Sequence, residues 1–344
     1  MSTLNHESVE WVFILSQVFG GCCFNVFILE NILSNNFSTH SLATIITFCQ
    51  FLFVAIVSYY PNTDFRGSSW RRLYLRKPQI PIREWVLMVV MFITVSLLNN
   101  LIWKFKIGIP FHIVFRSSGT VITMVIGYLF AQKRYSKQQV FASIIISLGT
   151  ILTTMDSSPK SPNRETSGFG DSKFFIGVSL LFLASIISAF MGLYNETLFK
   201  KYGNQWQESL FYTHFLSLPL FLLVIPLLRD EFLVLWDAPE KYVFTNNIIV
   251  SKQFCSLLIN MVSQYACTKG VNMLSGRTSA LSVTVVLLVR KFVSLLISIT
   301  WYGNELSTTS KLGASLVFLG ALQYGIASSG LKNRIVRNRN EKAE

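Results

Sequence analysis

Acidic residues are scarce in this chain. Its 344 residues include 17 Asp and Glu against 30 Lys and Arg, and no carboxylate falls in the middle of a long apolar stretch. That absence excludes the Asp/Glu relay of a proton-coupled membrane carrier. It also removes the metal-binding cluster or general base that a membrane glycosyltransferase needs beside its donor. Asp230, Glu231, Asp237 and Glu240 lie between apolar stretches and are expected in an exposed loop. Cysteine is sparse too, and the five (Cys22, Cys23, Cys49, Cys255, Cys267) all sit inside apolar stretches without metal-ligand spacing. Neither disulfides nor a metal site is therefore expected, and no cofactor is implied. Met1 to Glu10 lacks the basic region of a secretory signal, so the first apolar stretch is expected to persist in the mature protein.

What is abundant is hydrophobicity. Apolar residues make up 51% of the chain and charged ones 14%, with a mean hydropathy of +0.47, more than a soluble domain needs. Stretches of bilayer-spanning length run over 9–30, 41–60, 85–103, 110–131, 138–156, 174–196, 208–228, 247–269, 278–300 and 311–329. The expected fold is an all-α membrane protein of ten transmembrane helices. The eighth stretch opens with Lys252 and carries Asn260, Gln264 and Tyr265, so that helix must face protein or water rather than lipid. Gly20-Gly21 followed by Cys22-Cys23 is a run of small residues suited to close helix contact.

Basic residues crowd the loops on one side. The 61–84 loop holds Arg66, Arg71, Arg72, Arg76, Lys77 and Arg83, and Lys133, Arg134, Lys137, Lys200, Lys201, Lys269, Arg277 and the 332–344 tail add to the same side. Positive loops stay cytosolic, so both termini are expected in the cytosol. The net charge of +13 is then a topological bias toward the lipid bilayer as partner, not a nucleic-acid surface.

Three cations break the pattern. Arg116 lies inside PFHIVFRSSGTVITMVIGYLFA, and Arg290 and Lys291 inside LSVTVVLLVRKFVSLLISITW. Each costs about 2.5–3.5 kcal/mol at a helix centre. With no intramembrane carboxylate to compensate, an external anion is expected, and the substrate is the natural supplier. Placing FRSSGTVITMVIGYLFAQKRYSKQQVFASIIISLGT over VRKFVSLLISITWYGNELSTTSKLGASLVFLGA with one gap superposes Arg116 on Arg290, Ser136 on Ser307 and Gly149 on Gly320. The copies lie five spans apart, so they cross the membrane in opposite senses, the inverted-repeat pattern of secondary carriers. The expected organisation is a first five-helix repeat over 1–156, a polar joint over 157–173, a second repeat over 174–331 and a basic tail over 332–344. An emptied cationic cavity is costly to close, which favours exchange of anions, by one half rocking against the other. An anion channel using the same arginines as a selectivity ring is a different reading of the same charges.

These residues also resemble the nucleotide-sugar transporters of the drug/metabolite transporter superfamily, in the branch that carries UDP-N-acetylglucosamine in yeast endoplasmic reticulum and Golgi membranes. The resemblance rests on GGCCFNVFILE, IPFHIVFRSSG followed by KRYS, YNETLFKKYG, FYTHFLSLPLF and LLVRKFVSLLIS, five stretches in order. It implies ten helices, cytosolic termini, no enzymatic activity, residence in the endoplasmic reticulum or Golgi, and exchange of cytosolic UDP-N-acetylglucosamine for lumenal UMP. Other UDP-sugars (xylose, galactose, glucose) or an adenine nucleotide are the alternative cargoes, and a homodimer is left open. The resemblance assigns phosphate binding to Arg290, Lys291 and Arg116. It places the base near Tyr212, which would stack on uracil or hydrogen-bond it, and His214, which would donate to its carbonyls. Tyr194, Asn195, Glu196, Gln264 and Tyr265 are candidates for the sugar. Asn25 is a candidate sugar contact or an interhelical hydrogen bond. Glu196 also stands four residues from Lys200, at ion-pair spacing. Arg290 and Lys291 are offset by about 100° on a helix; which of them faces the cavity is open, with Lys291 favoured for the phosphate.

Overall fold

Inside a bilayer every backbone N–H and C=O must be paired within the chain, so long apolar stretches are forced into helices. The computed structural model describes residues 2–34, 42–64, 74–102, 118–157, 172–236, 241–244, 248–301 and 308–340, and its helices and their short connections are interrupted by one hairpin. The helices are α1 (Ser2–Ser16), α2 (Cys22–Ser34), α3 (Ala43–Tyr59), α4 (Ile82–Ile102), α5 (Gly119–Ala131), α6 (Lys137–Ser157), α7 (Ser172–Tyr202), α8 (Trp206–Phe215), α9 (Ile225–Trp236), α10 (Lys252–Ser275), α11 (Ala280–Trp301) and α12 (Thr308–Asn340). One π-helical turn, Gln17–Gly21, joins α1 to α2, and a 3-10 segment, Leu218–Val224, leads into α9. Four candidate spans among the described residues are long and apolar enough to cross a membrane: Ser8–Leu29, Thr44–Asn62, Phe175–Tyr202 and Trp206–Trp236. Large apolar side chains stand outside these helices, with Leu223 82% exposed and Phe130 67%. Such a surface suits hydrocarbon as solvent.

The hairpin is the departure from an all-α expectation. Strands β1 (Lys241–Phe244) and β2 (Ile248–Ser251) pair antiparallel, Lys241 opposite Ser251. They occupy the start of the expected 247–269 helix, which begins instead at Lys252, where the Ser251 hydroxyl caps the Phe254 N–H at 3.1 Å. The same helix overruns its expected end and continues to Ser275. Lys269 therefore lies inside a helix, not in a cytosolic loop, because the polar side chains that obscured this stretch do not interrupt its backbone hydrogen bonds.

Two compact units divide the chain. The first comprises Met1–Val89 and Leu198–Thr278. Here the small-residue run does what its composition suggests: a Cβ on Gly21 would sit 3.1 Å from the Cβ of Ala266 and from the Cys267 nitrogen, and one on Gly270 would sit 2.6 Å from the Cβ of Gln17, whereas Gly20 faces open space. That backbone approach joins Cys22 to Cys267 in a disulfide with Cα atoms 4.5 Å apart. The expectation of no disulfide fails because the partners are 245 residues apart in sequence, where spacing carries no signal. Deeper in the seam, the Asn25 amide donates to the Asn260 carbonyl at 3.0 Å and to Ser263 Oγ at 3.2 Å, and Gln50 donates to Asn260 Oδ1 at 2.6 Å. Glu231 corrects a second expectation. It lies on α9, 3% exposed, and accepts the Ile45 N–H at 2.7 Å, so it secures the start of α3 and is not part of an exposed loop. Asp237 and Glu240 lie outside the described residues. Glu208, at the start of α8, holds the chain ahead of α4 by accepting the N–H groups of Gln79 and Ile80 at 2.8 and 3.2 Å.

The second unit comprises Val90–Thr197 and Ser279–Glu344. Its core gathers Met124, Ile146, Leu281, Val285, Leu288, Phe292, Val317 and Tyr324. Helices α6 and α12 meet through reciprocal glycines. A Cβ on Gly149 would lie 2.7 Å from the Gly313 carbonyl and 2.9 Å from the Cβ of Leu316, and one on Gly320 would lie 2.7 Å from Ile146 and 3.2 Å from the Ala142 carbonyl. These are the two glycines superposed by the internal alignment. Gly149→Leu is expected to destabilise this unit by about 1–3 kcal/mol or more, since the nearest obstacle is backbone. Thermal unfolding in detergent checks it; an unshifted midpoint would refute the close contact.

Candidate functional site

Helix α11 carries the cations into the second unit. Leu288 and Phe292 are core residues, 5% and 1% exposed, and they fix the rotation of the helix. Between them Arg290 is half-buried with its Nε inside the protein, while Lys291, one residue on, is exposed. The 100° step therefore separates the two: Arg290 is the more buried and Lys291 the more exposed. Arg116 lies outside the described residues.

The start of α11 is held by a carboxylate. Glu196 on α7 is 6% exposed, and its Oε2 accepts from the Ala280 N–H at 2.6 Å and from Lys133 Nζ at 2.5 Å. An acid at a helix N-terminus meets unpaired N–H groups and the positive end of the dipole. Beyond the Lys200 that sequence spacing offers, geometry brings in Lys133, which stands in the KRYS stretch 63 residues away. Beside this pair the Tyr135 hydroxyl fills the space that a Cβ on Gly127 would need. Burial, with the Glu196 carboxylate and Tyr324 adding to it, pushes the Tyr135 pKa up to about 12. Ser282 Oγ lies 3.3 Å from the Tyr324 hydroxyl, and the Ser282 N–H donates to the capping Ser279 Oγ at 3.2 Å. Of the α7 candidates, Tyr194 is half-buried, and Asn195 buries an Oδ1 that accepts no hydrogen bond among the described residues. That oxygen is an open acceptor for a hydroxyl or N–H donor.

The remaining candidates belong to the first unit. Tyr212 is 5% exposed and its ring stacks on Trp85, centroids 6.4 Å apart at 12°. His214 is 8% exposed, lies 4.8 Å from the Phe51 ring, and places Nδ1 2.7 Å from the Leu210 carbonyl. A carbonyl can only accept, so Nδ1 carries the hydrogen, and the neutral ring offers Nε2 as an acceptor. With Nδ1 engaged on the Leu210 carbonyl, Nε2 is the ring nitrogen that remains. Asn25 is buried in the interhelical bonds described above. Gln264 and Tyr265 are half-buried on α10; the Tyr265 ring stands edge-on to Phe53 at 6.4 Å, and the Lys269 ammonium lies 5.9 Å from its centroid. Lys133 and Lys269 are the residues whose role sequence reading missed: Lys133 lies as expected in the connection between α5 and α6 but is tied to Glu196, and Lys269 lies within α10. Both had been counted as loop charges, and for Lys133 the only sequence signal was its place in a quoted stretch. Among the described residues no group of three His, Cys, Asp or Glu could hold a metal ion.

The model of the UAA transporter family matches residues 10–328. The UDP-N-acetylglucosamine transporter of Kluyveromyces lactis is 41% identical over 326 residues, 93% of this chain and 98% of that protein. Its Saccharomyces cerevisiae counterpart is 38% identical, covering 90% and 93%. A Danio rerio protein named as a UDP-xylose and UDP-N-acetylglucosamine transporter is 35% identical, covering 91% and 93%. A solved crystal structure superposes with a TM-score of 0.58 over 91% of this chain and 97% of its own at 13% identity, a likeness of fold.

Proposed function

The chain belongs to the UAA transporter family, and from that premise we propose that it carries UDP-N-acetylglucosamine from the cytosol into the lumen of the endoplasmic reticulum or Golgi in exchange for UMP. It is a transporter and not an enzyme. The observation that carries the substrate assignment is the near full-length identity, 41% and 38%, to two yeast proteins named for that cargo. UDP-xylose is the second reading, supported by the name of the zebrafish relative.

In this reading the chain forms ten spans in two inverted five-helix repeats, 1–156 and 174–331, with both termini cytosolic, and works by alternating access. Arg290 and Lys291 on α11, with Arg116, answer the phosphates by charge-assisted hydrogen bonds. Tyr212 and His214 serve the uracil, with His214 as acceptor. Asn195, beside Tyr194, offers its open oxygen to the sugar, and Gln264 and Tyr265 are the first unit's candidates for a sugar contact. Glu196 enters through the charge that it neutralises on Lys133.

Exchange follows from charge. A cationic site is costly to turn over empty and less so when a phosphate fills it. The test is purified protein in liposomes with labelled UDP-N-acetylglucosamine outside. Uptake that requires internal UMP is expected. Uptake independent of internal nucleotide would make it a channel, and sugar transfer to an acceptor would make it an enzyme; either overturns the proposal.

A further inference from the structure

Lys269 sits at a depth where a lysine needs an explanation. Its neighbour Gly270 packs directly on Gln17 and Val18. Gln17 is nine residues into the Ser8–Leu29 span, about 14 Å along at 1.5 Å per residue and so near the midpoint of a hydrocarbon core about 30 Å thick. The half-buried ammonium points toward α1, 5.4 Å from the Phe13 ring centroid and 5.9 Å from that of Tyr265. Among the described residues no carboxylate pairs with it. Two turns on, Arg277 shows the contrast: at the end of the same seam it donates to Glu10. Among the described residues the seam thus supplies an acid to the cation at its end and only aromatic faces to the cation at mid-span.

Those faces compensate in part. Cation–π contact is worth about 0.5–2 kcal/mol, against about 2.5–3.5 kcal/mol for a lysine at a helix centre, so the site favours an arriving anion. Lipid headgroup phosphates lie at the interface, about half the core thickness away, which points to a phosphate brought in by a soluble ligand. Tyr265, one helical turn from Lys269, also carries a hydroxyl.

We infer that Lys269, held at mid-span between the Phe13 and Tyr265 rings, is a further phosphate-binding group for the nucleotide that this carrier moves. The inference rests on the transport reading above and adds a cation outside the α11 pair. The experiment is thermal unfolding of the full-length protein in phospholipid-free detergent, titrated with UMP, UDP-N-acetylglucosamine and uridine. Lys269→Gln is expected to weaken the UMP-dependent shift about tenfold in apparent Kd, the loss of one charge-assisted bond, while the weaker uridine response stays put. Lys269→Arg should restore most of the UMP affinity. Because a purely packing role would move only the ligand-free midpoint, UMP affinity at the wild-type value in Lys269→Gln overturns the inference. So does a loss seen only after phospholipid is added back, which would assign the lysine to a headgroup. A wild-type protein answering to adenine or guanine nucleotides and not to uridine ones would end the substrate reading, yet the same loss in Lys269→Gln would uphold Lys269. No response to any nucleotide defeats both.

Discussion

Lys291→Ala is expected to reduce UMP-dependent UDP-N-acetylglucosamine uptake about 100-fold, the loss of roughly two charge-assisted hydrogen bonds to a diphosphate, with the unfolding midpoint unchanged. The reason lies in the rotation of α11. Leu288 and Phe292 pack into the core while Lys291 is exposed, so its truncation leaves no cavity. Arg290→Ala should behave differently: Arg290 is half-buried with Nε inside the protein, so its removal should lower the midpoint as well as transport. Measuring exchange and melting for both variants at equal reconstituted amounts separates the two cations, and Lys291→Ala exchanging at the wild-type rate would end its phosphate assignment.

Glu196→Ala should be the most destabilising single change in the second unit, by about 3–5 kcal/mol for breaking a buried charge pair. The carboxylate has two donors at 2.5 and 2.6 Å, and without it the Lys133 ammonium, with 21% side-chain exposure, and the Ala280 N–H both lose their acceptor. Lys133→Ala should cost less, because the Ala280 N–H still satisfies the carboxylate. The double variant should cost less than the sum, since the pair acts as a unit. The check is a double-mutant cycle on unfolding midpoints, read beside the KM for UDP-N-acetylglucosamine. If Glu196→Ala raises KM and leaves the midpoint alone, the residue is a sugar ligand and not a support for α11.

What could be read from the residues was whatever depends on local composition. Apolar runs of bilayer length gave helices, Gly21 gave a close seam, and the five quoted stretches gave the family. The pairing of Gly149 with α12 and of Gly320 with α6 was present only as an alignment of two similar stretches; that they pack on each other needed coordinates. Asn25 had an interhelical bond as one of its two readings, and its amide is spent on Asn260 and Ser263. Asn195 was a candidate by position alone, and only its buried oxygen shows an open acceptor.

The sequence by itself determined that this is a helical membrane carrier with excess positive charge, because hydrophobic length and loop charge act locally and need no knowledge of neighbours. Tertiary structure decided which charges are already compensated. Glu231 and Glu208 are committed to backbone N–H groups, Glu196 to Lys133 and α11, Arg277 to Glu10, and Cys22 to Cys267. Lys269 is left with aromatic rings. Apart from Tyr265, each partner lies tens to hundreds of residues away along the chain, and an electrostatic balance summed over such distances exists only once the helices have packed.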